Sequence, residues 1–329
     1  MMYERSGREN NVVGGVMSQL RFDGRAAVIT GAGRGLGRAY ALLLASRGTK
    51  VVVNDPGASL AGDGGDAGPA QEVVREIRAA GGEAVACTES VATPEGGKAI
   101  VQAALDHFGR IDVLIHNAGI VRRGSLKEIS YEDFERVLDV HLRGAFHVVR
   151  PAFPLMCEAG YGRIVLTSSI NGLYGNRNVV NYCVAKAGII GLSNVVALEG
   201  ADEGVKCNVI LPGAVTRMAE GVDTSAFPPM TAQQVAPVVG WLAHESCSIT
   251  GEMLSAMAGR TSRAYVAESP GVYRPQWSIE QVAEQMDAIR QTQASVVFPP
   301  VPSGQLDHLR YCFAMGHNAS TLPSASPET

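Results

Sequence analysis

The chain has 329 residues, 46% of them hydrophobic, enough for one large core and a little more than most single domains need. A net charge of −4 with 18% charged residues lacks the basic excess that nucleic acid or an anionic membrane surface would recruit. Six cysteines (Cys87, Cys157, Cys183, Cys207, Cys247, Cys312) stand singly with no Cys-x-x-Cys pair, and the seven histidines have no HExxH-type spacing. No metal site or redox dithiol is therefore expected, and the thiols read as reduced, in a cytoplasmic protein.

The first twenty residues contain Arg5, Arg8, Glu9, Asn10 and Asn11 but no apolar segment. They read as a flexible extension rather than a secretory leader, with Met17 as an alternative start. Strands are predicted over 26–30, 50–54, 84–88, 113–117, 163–167, 206–211 and, more weakly, 253–257. Between them, helices are predicted over 35–47, 70–80, 94–108, 131–157, 179–203 and 232–244. Several strands are apolar almost throughout, as strands buried on both faces of a parallel sheet must be. Strict alternation of strand and helix implies right-handed crossovers and a Rossmann-type α/β fold: a doubly wound parallel sheet of about seven strands with helices on both faces. No apolar run reaches the ~20 residues of a membrane span. The main domain is read as 21–260. Prolines multiply after it, one helix is predicted over 279–290, and 261–316 reads as an appendage packed on the domain or on a neighbouring subunit. Residues 317–329, rich in Ser, Pro and Thr, read as disordered.

The first strand runs into Thr30-Gly31-Ala32-Gly33-Arg34-Gly35-Leu36-Gly37 and then a helix. Glycines let such a turn take positive φ and let backbone approach a pyrophosphate, while the helix points free N–H groups at it. Gly31, Arg34, Gly35, Leu36 and Gly37 are thus candidate cofactor contacts. Asp55 ends the second strand, where a carboxylate accepts hydrogen bonds from both adenosine ribose hydroxyls and repels a 2′-phosphate, favouring NAD over NADP. Arg34 argues the other way, since a cation in the turn can pair with that phosphate.

Tyr182 and Lys186 are four residues apart on a predicted helix and share one face. An ammonium beside the phenol, together with a positively charged nicotinamide, is expected to lower the tyrosine pKa and make it a base for an alcohol proton. Ser169 follows the fifth strand, at the strand end where ligands meet this architecture, and its hydroxyl can bond the reacting oxygen. Asn171-Gly172 and Gly175-Asn176 read as turns in one wall of the substrate site.

With these motifs in this order, the chain resembles the NAD-linked short-chain dehydrogenase/reductase family over about residues 22–258. The matching features are the turn at 30–37, Asn117-Ala118-Gly119, Ser169, Tyr182-x-x-x-Lys186 and Pro212-Gly213. The resemblance implies that Asn117 and Gly119 support the adenosine side of the cofactor and that Ser90 and Val91 lie by the adenine. It also implies that the segment holding Pro212, Gly213, Val215 and Thr216 receives the nicotinamide carboxamide. Where the family has an asparagine that organises a relay water, this chain has His141, read either as a buried structural residue or as the holder of that water.

Val140-His141-Leu142-Arg143-Gly144, Tyr174-Gly175-Asn176, the long glycine-rich insertion after Asp55, and Trp241 to Cys247 narrow the likeness. Together they are similar to the (3R)-hydroxyacyl-CoA dehydrogenase units of multifunctional β-oxidation enzymes and to bacterial steroid-active relatives. That implies a free-standing oxidoreductase for a small molecule, a 3-hydroxyacyl-CoA first, with hydroxysteroids and 3-oxoacyl thioesters as alternatives. Arg122, Arg123 and Arg177 are then candidates for a CoA-binding rim. The likeness also implies a homodimer or homotetramer. A nucleotide-sensing scaffold without chemistry is the non-enzyme alternative, disfavoured by the retention of Ser169, Tyr182 and Lys186.

Overall fold

The computed structural model describes residues 19–217 and 228–321, and for 318–321 the backbone alone. Most of the N-terminal extension, and the tail beyond 321, lie outside the described residues. The strands are β1 (Ala26–Thr30), β2 (Lys50–Asn54), β3 (Ala84–Cys87), β4 (Val113–His116), β5 (Gly162–Thr167), β6 (Val205–Gly213), β7 (Met253–Met257) and β8 (Arg260–Ala264). They form one sheet in the order β3-β2-β1-β4-β5-β6-β7-β8, parallel except for the last pair.

Along β1 the side chains alternate faces as pleating demands. Ala27 and Ile29 join a core under α1 (Gly35–Ser46), α2 (Gly68–Ala79) and α8 (Ala232–Ala243). Val28 joins the opposite core, under α3 (Pro94–Phe108), α5 (Gly144–Glu158) and α7 (Val180–Gly200). Both faces are covered, which is why whole strands are apolar. Strand order reverses between β1 and β4, and this opens a crevice at their carboxyl ends.

Three departures from the sequence reading bear on the site. The helix expected over 131–157 is α4 (Tyr131–Leu138), a π turn (Asp139–Arg143) and then α5. A π turn inserts one residue into the helical register, which no spacing rule detects, and such turns favour functional sites. Asn171-Gly172 is not a turn but part of α6 (Ile170–Tyr174), capped by Ser169 and stopped by Gly175 at φ 72°. The sheet has an eighth strand, β8, so it continues past the boundary read at 260. Ala258 and Gly259, both at positive φ, turn the chain back, and the polar Arg260-Thr261-Ser262-Arg263 hides the strand pattern.

In the appendage, the expected 279–290 helix breaks into α9 (Ile279–Glu284) and α10 (Met286–Ile289). A further helix, α11 (Leu306–Thr321), runs through the start of the stretch read as disordered. Phe298 packs edge-on against His308 and Tyr311, supplying the contacts that composition hides. Val301 packs against the core under α7, tying the appendage to the domain. Residues 180–203 form the one stretch among those described that is long and apolar enough to cross a membrane. That stretch is α7 with its terminal turn, packed against the sheet, and it carries Tyr182 and Lys186.

Candidate active site

At the crevice lies a cavity of about 540 Å³. Its phosphate end is the β1–α1 turn. A Cβ on Gly37 would lie 2.2 Å from the Gly31 carbonyl oxygen, and one on Gly31 would lie 2.8 Å from the Ala118 Cα. These two glycines let the turn fold onto the end of β4. Asn117 fastens that junction, its Nδ2 donating to the carbonyls of Thr30 (3.3 Å) and Gly31 (3.1 Å). Asp55, buried at the end of β2, accepts from the Gly33 N–H (2.9 Å) and the Gly57 N–H (2.8 Å), so its carboxylate is fixed at the cavity wall.

Tyr182 and Lys186 project from the first turns of α7 onto the same cavity. Lys186 is buried and donates from Nζ to the Thr167 carbonyl (2.5 Å), with Nζ 5.6 Å from the Tyr182 ring centre. Burial without an anionic partner pushes its pKa down to about 7. The direction expected for Tyr182 is reversed in the chain by itself. Burial raises the phenol above its ordinary value, and the nearby Ser169 hydroxyl offsets this only in part. Ser169 itself lies off the cavity wall, where its Oγ accepts from the Asn171 N–H (3.1 Å) at the start of α6.

His141 is buried on the π turn and meets Tyr182 edge-on at 5.2 Å. A Cβ on Gly119 would fall 2.3 Å from its Cε1, so that glycine makes room for the imidazole. Ile120 presents its carbonyl (2.8 Å) and its N–H (3.1 Å) to Nε2. The shorter contact needs a proton on Nε2, which leaves Nδ1 as an acceptor. Burial, aided by the Lys186 charge, holds this imidazole far below its ordinary pKa and therefore neutral.

A second buried histidine, His116, backs the first. Thr30 Oγ1 accepts from the N–H groups of Asn117 and Ala118 (3.1 Å each) and so gives its own proton to His116 Nδ1 (3.1 Å). His116 Nε2–H then donates to the His141 carbonyl (3.1 Å). Burial pushes the His116 pKa down to about 3, consistent with this neutral tautomer.

Of the residues singled out from sequence, the cavity wall brings together Gly31, Arg34, Gly35, Leu36, Asp55, Ser90, Val91, Asn117, Gly119, His141, Tyr182, Lys186, Pro212 and Thr216. Gly37, Ser169, Gly213 and Val215 are not on it. Sequence reasoning missed Asn54, Ser59, Leu60, Ile120 and Thr167, which also line it. It missed Asn181 as well, fully buried, whose Oδ1 accepts from the Tyr182 N–H (2.8 Å). Arg122 is corrected: its guanidinium is engaged by Ala61, Asp63 and Asp133, so it is not part of a free rim. Its hydrogen bond holds the Asp133 carboxyl below the usual range. Arg123 and Arg177 are exposed.

A polar ligand fits this cavity. Asn54 Oδ1, His141 Nδ1 and Thr167 Oγ1 are buried without a hydrogen-bond partner among the described residues, and all three residues line it. The glycine turn on its wall leads straight into the N-terminus of α1, where free N–H groups suit a phosphate.

The family profile described as short chain dehydrogenase matches residues 25–225. The chain is 50% identical over 259 residues to the peroxisomal multifunctional enzyme type 2 of Drosophila melanogaster, covering 78% of this chain and 43% of that protein. It is 38% identical over 245 residues to a 3-oxoacyl-[acyl-carrier-protein] reductase of Synechocystis, covering 71% of this chain and 96% of that one. A crystal structure of a short chain dehydrogenase from Mycobacterium avium superposes with a TM-score of 0.71 at 38% identity, over 85% of this chain and 98% of that one. The chain belongs to the short-chain dehydrogenase/reductase family. It is an oxidoreductase of a family that generally uses NAD or NADP. It spans less than half the length of the Drosophila protein.

Proposed function

We propose that this chain oxidises a secondary alcohol to a ketone with NAD, and that the alcohol is a 3-hydroxyacyl-CoA. The observation that carries the reading is one cavity whose wall holds Tyr182 and Lys186 together with the fixed Asp55 carboxylate. Tyr182 holds the substrate hydroxyl and removes its proton, and Ser169, whose hydroxyl lies beside the phenol though off the cavity wall, is its second hydrogen-bond partner. Lys186, titrating near neutrality, takes part in passing that proton outward. When bound, the nicotinamide supplies the acceptor for the hydride leaving the carbinol carbon. Gly31, Gly35 and Leu36 cradle the pyrophosphate side, Asn117 supports the adenosine side, Ser90 and Val91 flank the adenine, and Pro212 to Thr216 receive the carboxamide.

Asp55 supports NAD, because an added 2′-phosphate would face a carboxylate already held in place by two N–H groups. The substrate choice rests on the likeness to hydroxyacyl-CoA dehydrogenase units and on a relative named for an acyl thioester. A homodimer or homotetramer belongs to the same reading, supported by the exposed Phe146, Val184, Val195 and Leu198 on α5 and α7. So does a cytoplasmic location, supported by six free thiols.

The test is the absorbance of reduced nicotinamide with NAD and with NADP against 3-hydroxyacyl-CoAs, hydroxysteroids and simple alcohols. Turnover should be best with NAD and a 3-hydroxyacyl-CoA. Tyr182→Phe should lower kcat by about a thousandfold or more while dinucleotide binding persists. Near-normal turnover of that variant, or preference for a steroid or for NADP, would refute the corresponding part.

A further inference from the structure

The glycine-rich insertion at 55–67 is not a loose loop. Asp66 N–H donates to the Pro56 carbonyl (2.9 Å) and Ser59 N–H to the Asp63 carbonyl (2.9 Å), so it is folded on itself. Ser59, Leu60 and Gly62 of this fold form part of the cavity wall. Its outer side is docked on the segment after β4. Val121 N–H donates to the Leu60 carbonyl (3.0 Å), and Gly62 sits against Ile120.

Arg122 fastens the two together. Its Nε donates to the Ala61 carbonyl (2.9 Å), Nη2 reaches both Asp63 oxygens (2.9 and 3.1 Å), and Nη1 reaches Asp133 (2.7 Å). Arg136 adds a second cation to Asp63 (2.9 Å). Arg122 is 18% exposed at its side chain and Asp63 57%, so only the fork-shaped, multiply bonded geometry makes this more than a surface ion pair.

The same short segment leads to the catalytic phenol. Asn181 Nδ2 donates to the carbonyls of Arg122 and Asp133 (3.0 Å each), and Asn181 Oδ1 accepts the Tyr182 N–H. Gly124 N–H donates to the Asn178 carbonyl (3.0 Å), just before α7. Ile120 is the residue that holds His141 Nε2. The stretch from 120 to 124 therefore touches the insertion, the imidazole and the first turn of α7.

We propose that Arg122 is a positioning residue that clamps the 55–67 insertion over the dinucleotide site and, through Asn181, sets the place of Tyr182. Closing the adenosine side of the cavity and aligning the phenol then become one event. This rests on the reading of the cavity as a dinucleotide site. A chain of packed contacts is a coupling only if both ends respond to one perturbation, so the test acts at the end remote from the chemistry.

Asp63→Ala removes the insertion's carboxylate from the clamp at a largely exposed position and leaves the Ala61 carbonyl contact in place. In the protein without cofactor, amide hydrogen exchange at Val121, Gly124 and Tyr182 should speed up about tenfold, the low end of coupling between sites, while Val52 in β2 is unchanged. The NAD dissociation constant should rise by a similar factor, on the order of tenfold, and the acid limb of kcat should move with it as Tyr182 loses its setting. Asp63→Glu should restore much of each. Arg122→Lys, which keeps the charge but loses the fork, should behave like Asp63→Ala. Faster exchange confined to Val121 with the Tyr182 amide and the pH profile unmoved would overturn the proposal. If the wild-type protein bound no dinucleotide, the cofactor reading would fall instead, and the exchange comparison would still decide the linkage.

Discussion

Replacing Lys186 with methionine should abolish turnover and make the cofactor-free protein more stable. The side chains are of similar volume, so packing is largely kept. What goes is an ammonium held in a buried site with one carbonyl partner. The fall in its pKa from 10.5 to about 7 corresponds to a ceiling of roughly 5 kcal/mol at 1.36 kcal/mol per unit. Loss of the bond to the Thr167 carbonyl takes back about 1 kcal/mol, and relaxation around the ammonium reduces the ceiling further, leaving a gain of about 2 kcal/mol. For a chain of this size that is about 3 °C in Tm.

The sign of the pH dependence follows from linkage. Between the folded value near 7 and the unfolded value of 10.5 the unfolded chain binds the extra proton, so the wild type gains stability as pH rises through that window. The variant lacks this contribution. Its Tm advantage should be greatest at pH 7 and below and should shrink towards pH 10, and subtracting the two curves removes the titrating groups that do not feel the Lys186 charge, which leaves out His116 and His141. Thermal unfolding followed by circular dichroism across that range is the assay. A Tm difference independent of pH, or a variant less stable at pH 7, would refute the reasoning.

Gly37→Ala should cost about 2–3 kcal/mol and abolish dinucleotide binding, because its Cβ meets two fixed groups, the Gly31 carbonyl and the Asn117 amide; thermal unfolding and ligand titration check it. Asp55→Asn should narrow the preference of NAD over NADP by about tenfold, read as a ratio of kcat/KM, since it removes the repulsion of the 2′-phosphate. His141→Ala should lower kcat and alter its pH profile if Nδ1 holds a relay water; full kcat at several pH values would leave the imidazole a packing role.

Sequence patterning exposed the elements whose side chains are uniform in character. β1, β2 and β4 are apolar because both faces are covered, and the glycine turn is where backbone must approach backbone. Tyr182 and Lys186 were legible from helical spacing, and Asp55 from its place at a strand end. Features that depend on a distant partner were not. The π turn leaves no trace in spacing, and Gly172 serves not a turn but the close approach of α6 to α7, where a Cβ at 172 would lie 2.8 Å from the Lys186 backbone. Asn181 looks like any polar residue until its amide is seen between two loop carbonyls. Arg122 is a surface arginine in sequence and a clamp only once the insertion folds back. The burial that raises the phenol in the chain by itself is likewise invisible in spacing, which shows only the neighbouring ammonium.

β8 carries a consequence for assembly. A parallel sheet ending at β7 would offer a row of free backbone groups to any passing strand. The hairpin at Ala258-Gly259 instead occupies that row with five residues of the same chain, and two of them are arginines. A bare edge of that kind is an aggregation template, and short, charged strands blunt it. At this end of the sheet the outermost strand is therefore short and charged, which disfavours pairing with the sheet of a second copy there.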